Sequence, residues 1–230
     1  LKHVREEFGH MRAVDLTPEM NKAFILSQQK LGYANATINR RTQALRAAYN
    51  LALKEELLSK IPRFTILKED NARQGFFEQE EFEAVLKHLE NPYDDLALFA
   101  YLTGWRKGEI VNLRWNQVDH GEKEIRIDTS KNGEGRVIPI SGGLWDLIKV
   151  RWQKREVKSK SGETYISPLV FHKDGKPIGD FRKRWNTACE KAGYPDKLFH
   201  DFRRTATRNF TRAQVPESVA MSITGHKTNS

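Results

Sequence analysis

Apolar positions recur along this chain in two rhythms, and most follow the helical one. From Asn35, a candidate N-cap, Ile38, Leu45, Tyr49 and Ala52 return at helical spacing and mark one buried stripe. Asn39, Gln43, Arg46 and Asn50 fall on another face of the same helix. Residues 1 to about 60 therefore read as helical, and Ser59 to Pro62 ends the pattern. Residues 62 to 75, with Pro62, Asp70, Asn71 and Gly75, predict an extended linker between two domains. Beyond it, Phe82, Val85, Leu86 and Leu89 define an amphipathic helix closed by Asn91-Pro92. Leu96 to Leu102 is apolar all round and predicts a central buried helix.

The second rhythm is shorter. Ile125 and Ile127 alternate with polar residues, the run Lys131 to Gly135 is polar, and Arg136 to Ile140 resumes the alternation, a β-hairpin with Lys131 near its tip. Trp145 to Trp152 returns to helical character, Lys154 to Lys160 with Ser161-Gly162 predicts a basic, mobile loop, and Leu169 to Phe171 a short strand. Phe181, Trp185 and Ala188 face inward from a helix stopped at Gly193. The next helix buries Phe202, Ala206 and Phe210, and a last one, from Pro216, is expected to bury Val219 and Ile223 and to end at Gly225 in an αL turn. No internal repeat emerges.

Composition narrows the function classes. The 230 residues carry 39 Lys and Arg against 30 Asp and Glu, a net charge of +9, the balance of a protein that meets a polyanion. No apolar run is long enough to cross a bilayer and no signal-peptide pattern is present, so a cytosolic location is expected. Cys189 is the single cysteine, which excludes an internal disulfide and a multi-cysteine zinc site. The basic residues lie within long amphipathic segments without a lipidation signal, so nucleic acid is a better partner than a membrane surface.

Four places offer cations or proton carriers. Arg106 follows the buried helix in Thr103-Gly104-Trp105-Arg106-Lys107-Gly108-Glu109, with Glu109 three residues on and able to hold its guanidinium. Lys131 sits at the hairpin tip. His200 and Arg203 share one helix face, an imidazole able to move a proton near neutrality beside a guanidinium able to fork onto phosphate oxygens. His226 follows the last helix. Each has a plain structural reading by itself, a solvated lysine or a half-buried histidine.

In this order and context the four resemble the catalytic domain of the tyrosine recombinases, the phage integrase family. The matching residues are Thr103 to Glu109 with Leu113-Arg114-Trp115, Ser130-Lys131-Asn132-Gly133 with Arg136-Val137-Ile138-Pro139-Ile140, His200-x-x-Arg203-Arg204-Thr205, and Gly225-His226-Lys227. Thr224 stands where leucine is usual, and Ala213-Gln214 occupies a turn where glycine is frequent. Residues 1 to 70 are similar to the family's helical core-binding domain, best at Thr37-Ile38-Asn39-Arg40-Arg41. The start of that domain is expected to be cut off, with no arm-binding domain present.

The resemblance implies a mostly α fold with a small antiparallel β-sheet. A partial helical core-binding domain (1-70) would precede an α+β tyrosine-recombinase catalytic domain (71-230). It implies DNA cleavage and rejoining through a 3′-phosphotyrosyl intermediate, with no metal or other cofactor. Arg106 and Arg203 would hold the scissile phosphate, Lys131 would protonate the leaving 5′ oxygen, His200 would take the nucleophile's proton or bond the phosphate, and His226 would donate to the same oxygens. Glu109 would orient the site, and Asn39, Arg40, Arg41, Gln43 and Arg46 would contact DNA. The nucleophilic tyrosine is expected just beyond Ser230, since none of the six tyrosines present stands in the required context.

Implied partners are double-stranded DNA attachment sites, a homotetramer on DNA and accessory DNA-bending proteins, in the cytosol and nucleoid of a bacterial host carrying a phage or prophage. This chain by itself is expected to be monomeric. Two other readings compete: a non-catalytic DNA-binding module of the same fold, and a type IB topoisomerase-like enzyme.

Overall fold

The computed structural model describes residues 2–69, 75–127, 135–159 and 161–225. Lys131 and His226, with Ser130, Asn132, Gly133 and Lys227 of the motifs around them and Asp70 and Asn71 of the linker, lie outside the described residues. The chain divides into two compact units, Leu1–Arg73 and Gln74–Ser230.

The first unit contains α1 (Lys2–Phe8), α2 (Pro18–Lys30) and α3 (Asn35–Lys54). Thr17 caps α2 by accepting from the Met20 N–H, with Pro18 at the first helical position, where its missing donor costs nothing. Phe24, Ile25, Ile38 and Tyr49 form the buried seam, and the Tyr49 hydroxyl donates to the Ala13 carbonyl at 2.8 Å. Asn35 was expected to be the N-cap of α3 and is not. Ala34 takes that position, and the Asn35 amide donates to the Lys68 carbonyl.

The second unit opens with α4 (Gln79–Leu86), α5 (Tyr93–Thr103) and the short α6 (Lys107–Val111). A three-stranded antiparallel sheet follows: β1 (Val118–Asp119), β2 (Glu124–Ile127) and β3 (Arg136–Pro139), with Ile125 opposite Ile138 and Ile127 opposite Arg136. Next come α7 (Gly142–Gln153), β4 (Glu156–Lys158), β5 (Thr164–Ile166), β6 (His172–Lys173) and β7 (Lys176–Pro177). The chain closes with α8 (Arg182–Lys191), α9 (Asp201–Arg212) and α10 (Glu217–Thr224). β4 and β5 pair, so the basic stretch expected as a loop is in part a two-stranded ribbon whose inward residue is Val157.

Helix α5 has the composition of a fully surrounded element: Leu96, Ala97, Phe99 and Ala100 expose nothing, and α7 and α9 both pack on it. Around it stands an aromatic cluster centred on Phe202, which touches Phe77, Phe82, Tyr101, Trp185 and Phe199 at centroid separations of 4.8 to 6.2 Å. Phe202 lies between His200 and Arg203 in sequence, so this aromatic cluster fixes the start of α9.

Two inward faces differ from the sequence pattern. Phe210 is only half-buried, and α10 buries Ala220 and Thr224 while Val219 is exposed. The Thr224 hydroxyl donates to the Ala220 carbonyl at 2.9 Å, which lets a polar residue occupy a position where leucine is usual.

Candidate active site

The site grows from the end of α5. Gly104 takes the left-handed conformation, φ 67°, and its N–H closes the helix on the Ala100 carbonyl at 2.8 Å. The Thr103 hydroxyl donates to the Phe99 carbonyl and accepts from the Trp105 N–H, and Trp105 packs edge-on to Phe99. Arg106 thus leaves a turn whose two flanks are buried. Glu109, in the first turn of α6, accepts from the Arg106 backbone N–H at 3.1 Å with one oxygen and from its Nη1 at 3.2 Å with the other. The carboxylate caps the helix and aims the arginine together.

Helix α9 brings the second part. His200 stands at its N-terminus, and Asp201 turns back to accept from the Leu198 N–H. Arg203 is buried, and its guanidinium reaches the carbonyls of Gly104 (3.1 Å), Thr224 and Gly225 (3.0 Å). One side chain therefore joins the turn that launches Arg106 to the end of α10. Backbone carbonyls orient the guanidinium from three sides.

Electrostatics confirm that these groups share one space. Burial lowers the Arg203 pKa to about 10, helped by the charges of Arg106 and Arg136 and opposed by Glu109. His200 is also lowered, first by burial and then by Arg203, Arg106 and Arg204, against the pull of Asp201. Burial pushes Glu109 upward, yet the hydrogen bond and charge of Arg136 and those of Arg106 leave it below the usual carboxylate value. Arg106, Glu109, His200 and Arg203 are brought together, and Lys131 and His226 lie outside the described residues.

Arg136 was not among the expected site residues. Its Nη2 lies 2.9 Å from Glu109, its guanidinium carbon 4.8 Å from the Trp105 ring centroid, and its side chain is 8% exposed. A signal was available in the strand alternation. Arg136 has the parity of Ile138 and Ile140, which face inward, and an arginine on the inward face of a strand needs a buried acceptor.

In the first unit, Arg40, Gln43 and Arg46 are exposed on α3. Asn39 is not on the expected recognition face: it is buried, its amide nitrogen donates to the Leu67 carbonyl and to Glu69, and its oxygen accepts from the Leu67 N–H. It clasps the segment leading out of the unit. Arg41 is half-buried, bonded to Gln28 and 3.9 Å from the Tyr33 ring centroid.

The model of a family described as the phage integrase family matches residues 75–230. Among curated relatives, the integrase of Salmonella phage P22 is 26% identical over 182 residues, covering 74% of this chain and 45% of that protein. A XerC-like tyrosine recombinase of Caldanaerobacter subterraneus subsp. tengcongensis is 27% identical over 237 residues, covering 85% and 60%. The chain thus spans about half the length of the curated relatives it matches. A solved lambda integrase dimer bound to a COC′ core site matches 99% of this chain and 85% of its own at a TM-score of 0.79 and 16% identity. A lambda integrase tetramer bound to a Holliday junction matches 100% and 67%, again at 0.79, with 17% identity. At these identities the likeness establishes the fold.

Proposed function

This chain belongs to the phage integrase family, and from that premise we propose that it is the DNA-cleaving and rejoining part of a site-specific tyrosine recombinase. The observation that carries the reading is the convergence of Arg106, Glu109, His200 and Arg203 from two separate helix starts onto one cationic site. A phosphodiester under attack gathers charge on its non-bridging oxygens, and preorganised guanidiniums stabilise that charge more than they stabilise the ground state. Arg106, the more exposed, would supply hydrogen bonds to those oxygens. Arg203, held by carbonyls, would supply fixed positive charge beside them.

His200, kept neutral by burial and neighbouring cations, is in the state that accepts a proton from a tyrosine hydroxyl. The tyrosine, proposed to follow Ser230, would attack phosphorus through Oη. The bond to the 5′ oxygen would break, and that oxygen would take a proton from Lys131, with His226 donating to the phosphate. The phosphotyrosine preserves the phosphodiester bond energy, so the reverse attack by a 5′ hydroxyl reseals the strand without ATP.

Arg40, Arg41, Gln43 and Arg46 would contact the duplex from the first unit, and the protein would work in the cytoplasm as a homotetramer across two attachment sites, with DNA-bending proteins as accessories. The lambda integrase tetramer on a Holliday junction supports that assembly, and among the described residues no helix is long and apolar enough to cross a membrane.

The test is covalent capture. A nicked suicide duplex bearing the site selected by the protein, which lets the cleaved 5′ fragment diffuse away, should yield a denaturation-resistant protein–DNA adduct when the tyrosine-bearing segment is present. Binding at full affinity with no adduct would leave the DNA-binding-module reading in its place. Site-independent relaxation of supercoils would favour the topoisomerase reading.

A further inference from the structure

We propose that Arg136 is a positioning residue for strand transfer, acting through Glu109 to hold Arg106 toward the scissile phosphate; the inference rests on the recombinase reading above. Three observations meet at this side chain. Glu109 divides its oxygens: Oε1 takes the Arg106 Nη1, while Oε2 takes the Arg106 backbone N–H and the Arg136 Nη2. Without Arg136, one cation would orient the carboxylate where two do now. Arg136 also lies over the Trp105 face, so it packs on the residue that precedes Arg106. Finally, its Nη1 lies so close to Gly225 that a β-carbon there would collide with it. Gly225 is the residue whose carbonyl Arg203 holds at 3.0 Å and which precedes His226.

Arg136 therefore fills the space between the Glu109 cradle and the α10 terminus. Its burial sets it apart from a simple phosphate contact. The side chain is 8% exposed against 31% for Arg106, so Arg106 is the guanidinium placed to meet solvent and substrate. The Nε of Arg136 is buried without a hydrogen-bond partner, a cost of about 1–3 kcal/mol for a buried donor. A strand arginine required only for folding could be replaced by an apolar residue without that loss. The charge is retained where it acts on Glu109.

A defect in holding Arg106 is a defect in stabilising charge on the non-bridging oxygens, and this gives a readout that a folding defect does not share. Cleavage is measured with the tyrosine-bearing protein on two suicide duplexes, one with the normal scissile phosphate and one with a methylphosphonate, which removes a charged non-bridging oxygen. Arg136→Gln should lower cleavage of the phosphodiester on the order of 10²-fold. The same variant should lose much less on the methylphosphonate, so that the ratio of the methylphosphonate rate to the phosphodiester rate rises at least about tenfold over wild type. Arg136→Lys, which keeps a charge near Glu109 but loses the fork, should fall between. Combining Arg136→Gln with Glu109→Gln should be no worse than the poorer single variant, since both interrupt one path.

An unchanged ratio, or full additivity of the two changes, would overturn the assignment. Should Arg136→Gln fail to fold, Arg136→Lys carries the ratio measurement, and an unchanged ratio there overturns the assignment. Absence of an adduct from the wild-type protein on the phosphodiester duplex overturns the recombinase reading instead, so the two failures are distinguishable.

Discussion

Two glycines four residues apart should answer the same substitution with opposite signs. At Gly104, φ is +67° and a β-carbon would stand 2.8 Å from the Ala206 Cβ, 3.3 Å from Thr224 Cγ2 and 3.5 Å from the Arg203 Cα. The nearest obstacle is a methyl fixed directly to the α9 backbone, so no rotamer change relieves it. Forcing alanine into the left-handed region costs about 1–2 kcal/mol, and inserting a methyl into a filled contact costs about 1–3 kcal/mol. A gain of about 0.4–1 kcal/mol from the stiffer unfolded chain offsets part of this. The balance for Gly104→Ala is a loss of roughly 1–5 kcal/mol, centred on about 3.

Gly108 lies within α6, a β-carbon there meets nothing within 4 Å, and Gly108→Ala should stabilise by about 0.5–1 kcal/mol. All five tryptophans, Trp105, Trp115, Trp145, Trp152 and Trp185, belong to the second unit, so their fluorescence in urea follows that unit. With a slope of about 1–3 kcal/mol per molar, the Gly104→Ala midpoint should fall by about 1 M or more and the Gly108→Ala midpoint should rise by a few tenths. Equal shifts of one sign for both variants would refute the reasoning, because the left-handed backbone at Gly104 and its contact with α9 are the differences invoked.

Three further outcomes are expected. His200 keeps its neutral form below the about 6.5 of a free imidazole, so adduct formation should hold as pH falls through that value and decline only lower. By linkage, the unfolded chain takes the proton first and stability is lost over the same descent; an acid limb at or above 6.5 in the pH–rate profile would contradict the lowered pKa. Asn39→Ala leaves the Leu67 N–H and carbonyl without their partner and should cost about 1–3 kcal/mol, seen as faster hydrogen exchange across 35–69, with the salt slope of DNA binding unchanged, whereas Arg46→Ala should lower that slope by about 1. Gln214 holds a positive φ of 57° after α9, at a turn where glycine is unstrained, and Gln214→Gly should raise the urea midpoint.

How far the sequence reached depends on how local each interaction is. Helix α5 was legible because it is apolar all round, and α8 and α9 because Phe181, Trp185 and Ala188 in one and Phe202 and Ala206 in the other recur at helical spacing and are buried. The β4–β5 ribbon was not, because its alternation contains one buried residue, Val157, amid charges that serve a strand as readily as a loop. The α10 face was read only in part: Ile223 packs partly buried against the core, but Val219 is exposed while Ala220 and Thr224 are buried, and Thr224 lies against Gly104 and Arg203, residues 120 and 21 positions earlier. The Arg106–Glu109 pair, three apart on one helix start, was visible as a spacing. Arg136–Glu109 joins residues 27 apart and needed the strand register to appear.

The way each arginine is fixed bears on what the site can bind. Arg106, Arg136 and Arg203 surround one carboxylate, Glu109, so among these four groups the site keeps two positive charges in excess. Among the described contacts of Arg203 are the carbonyls of Gly104, Thr224 and Gly225, dipoles that orient the guanidinium. Burial first, and then repulsion from Arg106 and Arg136, disfavours the charge on Arg203 and lowers its pKa to about 10. On the proposed function, a scissile phosphate would relieve this repulsion, and the relief would grow as charge builds on the phosphate oxygens during attack. Carbonyl contacts to one arginine and carboxylate contacts to the other two would then hold the donors in place before substrate arrives.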